Sequence, residues 1–335
     1  MRALTLIRTL AILLLLCAAF FLFLVFGPHK AARIRDIPIQ RGASLTEIGR
    51  VLQDSGAVYN GLAFAAAAKL SGKSRRLQSG TYRFPYDVST AEIIDALASG
   101  KHQVEVWITF NEGITVRGIA SRLQKRLGMD SASFVRAARE PRLLRSLGIA
   151  AEGMEGYLYP DTYLFRLEVS PESVITRMHR RLLKALEPEL RDRMKRRNRS
   201  LHEIMTMASI IEGETKKPEE RARIAGVYYN RLHRGMKLQA DPTIQYLIPD
   251  GPRRLLYRDL KRESPYNTYL RRGLPPGPVN NPGIAAVTAA LYPESHKFLY
   301  FVADGSGGHK FSRNAQEHAA AVSEYRRIMR ESTEQ

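Results

Sequence analysis

From Leu10 to Phe26 the chain carries no charged residue, and leucine, phenylalanine and alanine dominate the run. With Leu4, Leu6 and Ile7 counted ahead of Arg8, the apolar stretch matches the roughly 20 residues a helix needs to cross a bilayer. A segment in lipid must satisfy its backbone polar groups internally, so a helix is the form expected here. The alternative is a cleaved signal, and Cys17-Ala18-Ala19 offers small residues for one. A cleavable signal turns polar at that point, whereas this run continues through Phe20, Phe21, Leu22, Phe23, Leu24, Val25 and Phe26 before Gly27-Pro28 breaks it. Leu16 also precedes Cys17 where lipoprotein processing needs a small residue. The expectation is a retained span over 10–27 behind a cytoplasmic tail, 1–9. Arg2 and Arg8 flank one side and Lys30, Arg33 and Arg35 the other, so positive charge alone does not orient it. A very short tail is the easier part to leave in the cytoplasm, which predicts a cell-membrane protein with its C-terminal region outside.

Beyond the span, 44% hydrophobic and 25% charged residues describe an ordinary globular chain. The net charge of +19 is not ordinary and calls for an anionic partner or surface. Nucleic acid is a poor fit, because the arginine-rich stretch Arg191–Arg199 has no interleaved aromatics. The single cysteine, Cys17, lies in the span, which excludes a disulfide framework or a thiol nucleophile in the domains that follow. The eight histidines show no H-x-x-x-H or H-E-x-x-H spacing, and no Walker, G-x-G-x-x-G or G-x-S-x-G sequence occurs. Neither a metal nor a cofactor is expected.

A weak repeat runs through residues 37–128. Ile39, Ser44, Ile48 and Leu52 share their spacing with Phe84, Ser89, Ile93 and Leu97, and again with Phe110, Thr115, Ile119 and Leu123. Each unit reads as an extended stretch, a cap and an amphipathic helix, with S-x-x-E capping boxes at Ser44–Glu47 and Ser89–Glu92 and glycine stops at Gly56, Gly100 and Gly128. Such units are generic αβ building blocks, or, more sharply, a small carbohydrate-binding module resembling LysM over 36–105. A strand–helix connection over 106–130 follows, then a mainly helical domain with a few short strands over 131–332. The fold class predicted is α+β. Helices are expected near 131–139, 171–186, 200–216 and 218–234, a stiff loop at Gly273–Pro278, a helix from Ile284, a strand at Phe298–Val302 and a last helix capped by Asn314 and Glu317. Around Glu155–Tyr163, three tyrosines beside a proline offer aromatic faces that stack on sugar rings or fill a core.

Ile204–Thr215 is the segment richest in chemistry. At about 100° per residue, Ile204, Met207, Ala208 and Ile211 share one arc, and Glu214 projects into it between Met207 and Ile210. Glu212 lies far around the helix, so the two carboxylates cannot serve one bond from one face. Apolar surroundings and a helix C-terminus both disfavour an ionised Glu214 and raise its pKa, as a general acid near neutral pH requires. If the helix frays at Gly213 instead, both carboxylates are solvated.

Met207-Ala208-Ser209-Ile210-Ile211-Glu212-Gly213-Glu214-Thr215 resembles the signature of the MltG (YceG-like) endolytic murein transglycosylases. So do Glu220-Arg221, Asn230-Arg231-Leu232, Leu238-Gln239-Ala240-Asp241-Pro242-Thr243, Tyr266-Asn267-Thr268-Tyr269, Gly273-Leu274-Pro275-Pro276-Gly277 and Tyr300-Phe301-Val302-Ala303-Asp304-Gly305, in order along the chain. The resemblance implies that 131–332 is a lytic transglycosylase domain acting on peptidoglycan glycan strands near the membrane, with wall synthases as partners. It places the catalytic glutamate at Glu214, with Glu212 and Glu220 as possible support. Gln239, Asp241, Thr243, Tyr266, Asn267 and Tyr269 become candidates for holding the sugars, though each could equally brace a loop. Gly213 departs from the pattern, which often has a larger residue such as lysine there. A non-catalytic peptidoglycan-binding anchor is the competing reading.

Overall fold

The computed structural model describes residues 2–27, 29–30, 36–249 and 251–331. Pro28, Arg33, Arg35 and Ser332, on which the break, two flanking charges and the domain end were placed, lie outside the described residues. Helix and strand are mixed, and the chain divides into two compact units, residues 1–107 with 164–169, and residues 108–163 with 170–335.

The first unit opens with α1 (Arg2–Phe26), of which Thr5–Phe26 is long and apolar enough to cross a membrane. Most of its large apolar side chains are exposed, but Val25 enters the unit's core and the Leu24 carbonyl accepts a hydrogen bond from Thr90 Oγ1 at 2.9 Å. Then come β1 (His29–Lys30), β2 (Ile37–Ile39), α2 (Leu45–Asp54), α3 (Gly61–Leu70), β3 (Gly80–Tyr82), β4 (Asp87–Val88), α4 (Thr90–Ser99) and β5 (Glu105–Thr109). β2 pairs antiparallel with β3, Ile37 opposite Tyr82 and Ile39 opposite Gly80, and β1 pairs with β4. Both expected capping boxes form, Ser44 with Glu47 and Ser89 with Glu92, so each helix starts with orphan N–H groups satisfied. Gly100 closes α4 in the left-handed region at φ 74°, where a side chain would be strained. Where α2 crosses α3, a Cβ on Gly49 would stand 2.4 Å from the Gly61 carbonyl oxygen, so two glycines allow backbone contact between these helices. The apolar repeat positions Ile39, Ile48, Leu52, Phe84, Ile93 and Leu97 all sit in this unit's core.

The third repeat belongs to the second unit. Thr115 caps α5 (Val116–Leu127) and Gly128 ends it, with Phe110, Ile119 and Leu123 buried. After α6 (Ser131–Ala137) and α7 (Pro141–Ser146) comes β6 (Thr162–Arg166), whose residues from Leu164 on belong to the first unit, and the chain is then mostly helical: α8 (Pro171–Ala185), α9 (Pro188–Arg196) and α10 (Leu201–Glu214). A 3₁₀ turn at Pro218–Glu220 leads into α11 (Arg221–His233), where one helix from Pro218 was expected; proline sets the first turn but the hydrogen bonding there is i to i+3. The remaining elements are α12 (Asp241–Gln245), α13 (Tyr257–Leu260), α14 (Ile284–Leu291), the antiparallel hairpin β7 (Tyr300–Ala303) and β8 (His309–Ser312), and α15 (Ala315–Glu331), capped by Asn314 as expected.

α10 is the centre of this unit. Every residue from Ile204 to Ile211 is buried, so the helix is enclosed on all sides by α11, α12 and α14 instead of presenting one oily arc. Methionine, serine and threonine on its nominally polar side pass for a solvated face in sequence. Thr206 and Ser209 are admitted to the core because their hydroxyls donate to the backbone carbonyls of His202 and Thr206, at 2.7 and 2.8 Å.

Candidate active site

Glu214 is the last residue of α10, and the helix does not fray at Gly213. The helical glycine has a packing cause: a Cβ there would stand 2.6 Å from the ring of Pro242, so Gly213 lets α12 close against the end of α10. That contact brings Asp241, the first residue of α12, toward Glu214.

The Glu214 side chain is partly buried, and its Oε1 accepts a hydrogen bond from Tyr228 Oη. Tyr228 lies on α11 with its ring fully buried, edge-on to Phe301 of β7 at 5.9 Å. Burial pushes the Glu214 carboxyl up to about 8, the Tyr228 hydrogen bond opposes the rise, the charge of Asp241 adds to it, and the Arg231 guanidinium opposes it again. Burial and the neighbouring carboxylate drive the Tyr228 phenol well above its usual range, so it stays a donor. Asp241 is exposed and accepts from Tyr269 Oη, whose own ionisation burial suppresses. Arg231 is buried, its Nε bound to the Leu299 carbonyl and Nη1 to the Leu238 carbonyl, both at 2.6 Å. It is a fixed positive charge behind the pair rather than a mobile one.

The other two glutamates are held apart from this cluster by their own partners. Glu212 accepts from Gly283 N at 3.0 Å and from Arg221 Nη2 at 3.2 Å, and burial raises its carboxyl above the usual range. It ties α10 to the start of α14. Glu220 takes His309 N at 2.9 Å, His309 Nδ1 at 2.7 Å and Thr215 Oγ1 at 3.2 Å. Burial works to raise it, but those hydrogen bonds win and its pKa falls. Glu220 therefore anchors the turn directly after Glu214 to β8.

The six sugar-holding candidates separate by exposure. Gln239 and Asp241 are at the surface, Tyr266 and Tyr269 are partly exposed, and Thr243 and Asn267 are fully buried. Gln239 holds φ +51°, a left-handed conformation unusual for a residue with a side chain, and its N–H donates to the Thr268 carbonyl at 3.1 Å. Thr243 Oγ1 is engaged by the Ala240 carbonyl and the Thr268 hydroxyl, at 2.7 and 2.9 Å. Asn267 spends its amide on the carbonyls of Leu260 and Arg262, at 3.0 and 2.7 Å, and on Tyr269 N at 2.8 Å. These two brace the loop that aims Tyr269 at Asp241. Asn267→Ala is accordingly expected to destabilise the fold by roughly 2–3 kcal/mol, the cost of orphaned buried polar groups, and to lower turnover with little change in KM. A raised KM at unchanged thermal stability would instead mark direct contact with a substrate.

Two of the three loop tyrosines fill the core. Tyr157 donates to or accepts from His202 Nδ1 at 2.8 Å, and Tyr163 Oη donates to the Tyr159 carbonyl at 2.7 Å. Tyr159 alone of the three is partly exposed, with the Arg181 guanidinium 5.0 Å from its ring centre. The same segment carries a second raised carboxyl. Glu155 accepts from Val116 N at 3.0 Å and Asn281 Nδ2 at 3.0 Å, and burial pushes it to about 8. Neither Glu155 nor Tyr228 stood out in the sequence: one was hidden among aromatics, and the other reaches Glu214 only through the packing of α11 on α10.

Among the described residues no cluster of His, Cys, Asp and Glu could hold a metal ion. The arrangement holds one protonated carboxyl with a fixed donor, a neighbouring carboxylate and an aromatic margin, which suits proton transfer to and from an oxygen of a neutral substrate.

Known proteins resemble the chain over most of its length. The endolytic murein transglycosylase of Bacillus subtilis (strain 168) is 33% identical over 305 residues, covering 87% of this chain and 84% of that one. The protein of the same name from Streptococcus pneumoniae serotype 2 (strain D39 / NCTC 7466) is 32% identical over 320 residues, which span 86% of this chain but 58% of the longer relative. The crystal structure of a yceG-like protein from Listeria monocytogenes superposes with a TM-score of 0.60 at 32% identity, over 85% of this chain and 98% of that one. The YceG-like family profile matches residues 37–324, from β2 into α15 and through every residue of the Glu214 cluster, and the chain belongs to the YceG-like family.

Proposed function

We propose that the chain is an endolytic murein transglycosylase that cuts the β-1,4 bond between N-acetylmuramic acid and N-acetylglucosamine without water. The observation that carries this reading is the Glu214 carboxyl, which has a buried tyrosine donor fixed to it and keeps its proton near neutrality. Protonated Glu214 gives its proton to the glycosidic oxygen as the bond to the anomeric carbon breaks. The resulting carboxylate, steadied by Tyr228 Oη and Arg231, takes the proton of the muramic acid 6-hydroxyl as that oxygen closes on the anomeric carbon. The products are a 1,6-anhydro end and a free 4-hydroxyl, and Glu214 is protonated again. Ordinary glycosidases need a second carboxylate as base or nucleophile. Here an intramolecular hydroxyl at high effective concentration replaces it, which is consistent with Glu212 and Glu220 being committed to structural partners.

The names carried by the relatives support the substrate, and the helix Thr5–Phe26 supports a site close to a membrane. In this reading α1 spans the cell membrane with the chain beyond it outside, residues 36–105 act as a LysM-like glycan-binding module, and the enzyme meets nascent strands, and the synthases that make them, near the bilayer. The test is mass analysis of purified glycan strands digested by the full chain. Ends bearing 1,6-anhydro-N-acetylmuramic acid are expected. Reducing ends would make the protein a hydrolase, and binding without cleavage would make it a non-catalytic anchor.

The pH profile tests the neighbours. Activity requires protonated Glu214 and is expected to fall as pH rises through about 8. Tyr228→Phe removes the hydrogen bond that lowers the Glu214 pKa, so the alkaline limb moves up. Asp241→Asn removes the charge that raises it, so the limb moves down. Shifts of the same sign in the two variants, measured as kcat/KM against pH, would contradict this electrostatic assignment.

A further inference from the structure

Within the first unit, α3 has an exterior unlike that of a helix facing water. Its sequence is Gly-Leu-Ala-Phe-Ala-Ala-Ala-Ala-Lys-Leu. Phe64, Ala67 and Ala68 face the core, while Leu62 and Leu70 are 71% and 79% exposed, with Ala65 and Ala66 partly exposed between them. These positions follow i, i+3, i+4 and i+8 spacing and make one apolar stripe. Isolated exposed leucines need no explanation, but this stripe has a particular neighbour. Leu70 lines an apolar recess with Phe21, Val25 and Phe26 of α1 and with Ile94 of α4, and Tyr59, just before α3, stacks on Phe23 at 6.0 Å. Both ends of α3 are thus met by residues of the last two turns of α1. Those two turns are about 11 Å of helix, and they belong to the stretch long and apolar enough to cross a membrane. If Phe21 and Phe23 are in the bilayer, α3 cannot stand clear of its surface. The residues at and beyond its C-terminus suit that position: Lys69, Arg75 and Arg76 are exposed, and Lys73 is ion-paired with Asp95 at the rim of the recess.

We propose that α3 is a second membrane-contacting element, lying in the headgroup–acyl boundary with Leu62 and Leu70 immersed and its basic residues against anionic headgroups. The proposal rests on α1 as the span and is independent of the cleavage chemistry. It makes the first unit a platform seated on the membrane rather than a body swinging on a tether.

The test uses the full chain with Cys17→Ser, carrying Leu62→Cys, Leu70→Cys or Leu15→Cys one at a time, each labelled with an environment-sensitive fluorophore. The protein is reconstituted in phosphatidylcholine–phosphatidylglycerol vesicles that contain lipids spin-labelled either near the headgroup or deep in the acyl chain. Labels at 62 and 70 are expected to be quenched at least twofold more by the shallow than by the deep spin label, and the label at 15 more by the deep one. Unquenched labels at 62 and 70 with a quenched label at 15 overturn the proposal and leave the span intact. Unquenched labels at all three positions overturn both.

Discussion

Glu214→Gln is expected to lower glycan-strand cleavage by about 10²–10⁴-fold, the range for loss of a positioned general acid–base, with KM little changed. The size follows from the double use of one group. Glutamine keeps the shape and can still accept the Tyr228 hydroxyl, but it can neither protonate the leaving oxygen nor take the proton from the attacking one. No nearby carboxyl can substitute. Glu212 is bound to Gly283 and Arg221, and Glu220 to His309 and Thr215, so neither can swing in without abandoning buried partners. Asp241 is close enough to raise the Glu214 pKa, but it is exposed and its carboxylate is already engaged by the Tyr269 hydroxyl. Steady-state release of anhydro ends measures the effect; activity within tenfold of the parent protein would remove Glu214 from the mechanism.

The same substitution is expected to make the protein more stable at neutral pH. The ordinary glutamate value is 4.5 and Glu214 stands at about 8 in the fold. Between these values the unfolded chain has released the proton while the folded one keeps it, so folding stability falls as pH rises, by about 1.4 kcal/mol per unit. At pH 7 the accumulated cost is about 3 kcal/mol, and the partial exposure of the side chain trims it to about 2–3 kcal/mol. Glutamine is neutral in both states and escapes the cost. Glu214→Gln should therefore gain about 2–3 kcal/mol at pH 7 and almost nothing at pH 4, where glutamate is protonated in both states. Glu155, also near 8, is present in both proteins and cancels in the comparison. Unfolding of the detergent-solubilised full chain at the two pH values checks this. An equal change at both would mean that the gain is packing and not ionisation.

Legibility in the sequence followed the range of the interactions. Capping boxes at Ser44 and Ser89, glycine stops at Gly100 and Gly128 and the cap at Asn314 act within one turn of chain, and each was placed by spacing alone. The burial of the Glu214 carboxyl was legible because its helix is continuous and its neighbours on that helix are apolar. What encloses it was not. The polar side of α10 is buried because α11, α12 and α14 close around it, and position 213 is a glycine because Pro242 needs the space. Both are contacts between segments distant in the chain. Tyr228 is a tyrosine on an ordinary-looking helix until the fold turns it toward the carboxyl. The amide of Asn267 illustrates a different limit: the donors and acceptor that would suit an acetamido sugar are the ones that bind Leu260, Arg262 and Tyr269. Composition cannot distinguish these uses, and burial does.

The central claim is that the Glu214 carboxyl holds its proton through neutrality in the resting protein. Infrared difference spectra between the parent chain and Glu214→Gln, recorded from pH 5 to pH 10, read that proton directly. The account predicts a protonated-carboxyl band that is present at pH 7, belongs to Glu214 and titrates away near pH 8. A band lost below pH 6, leaving an ionised carboxylate at neutrality, would contradict it.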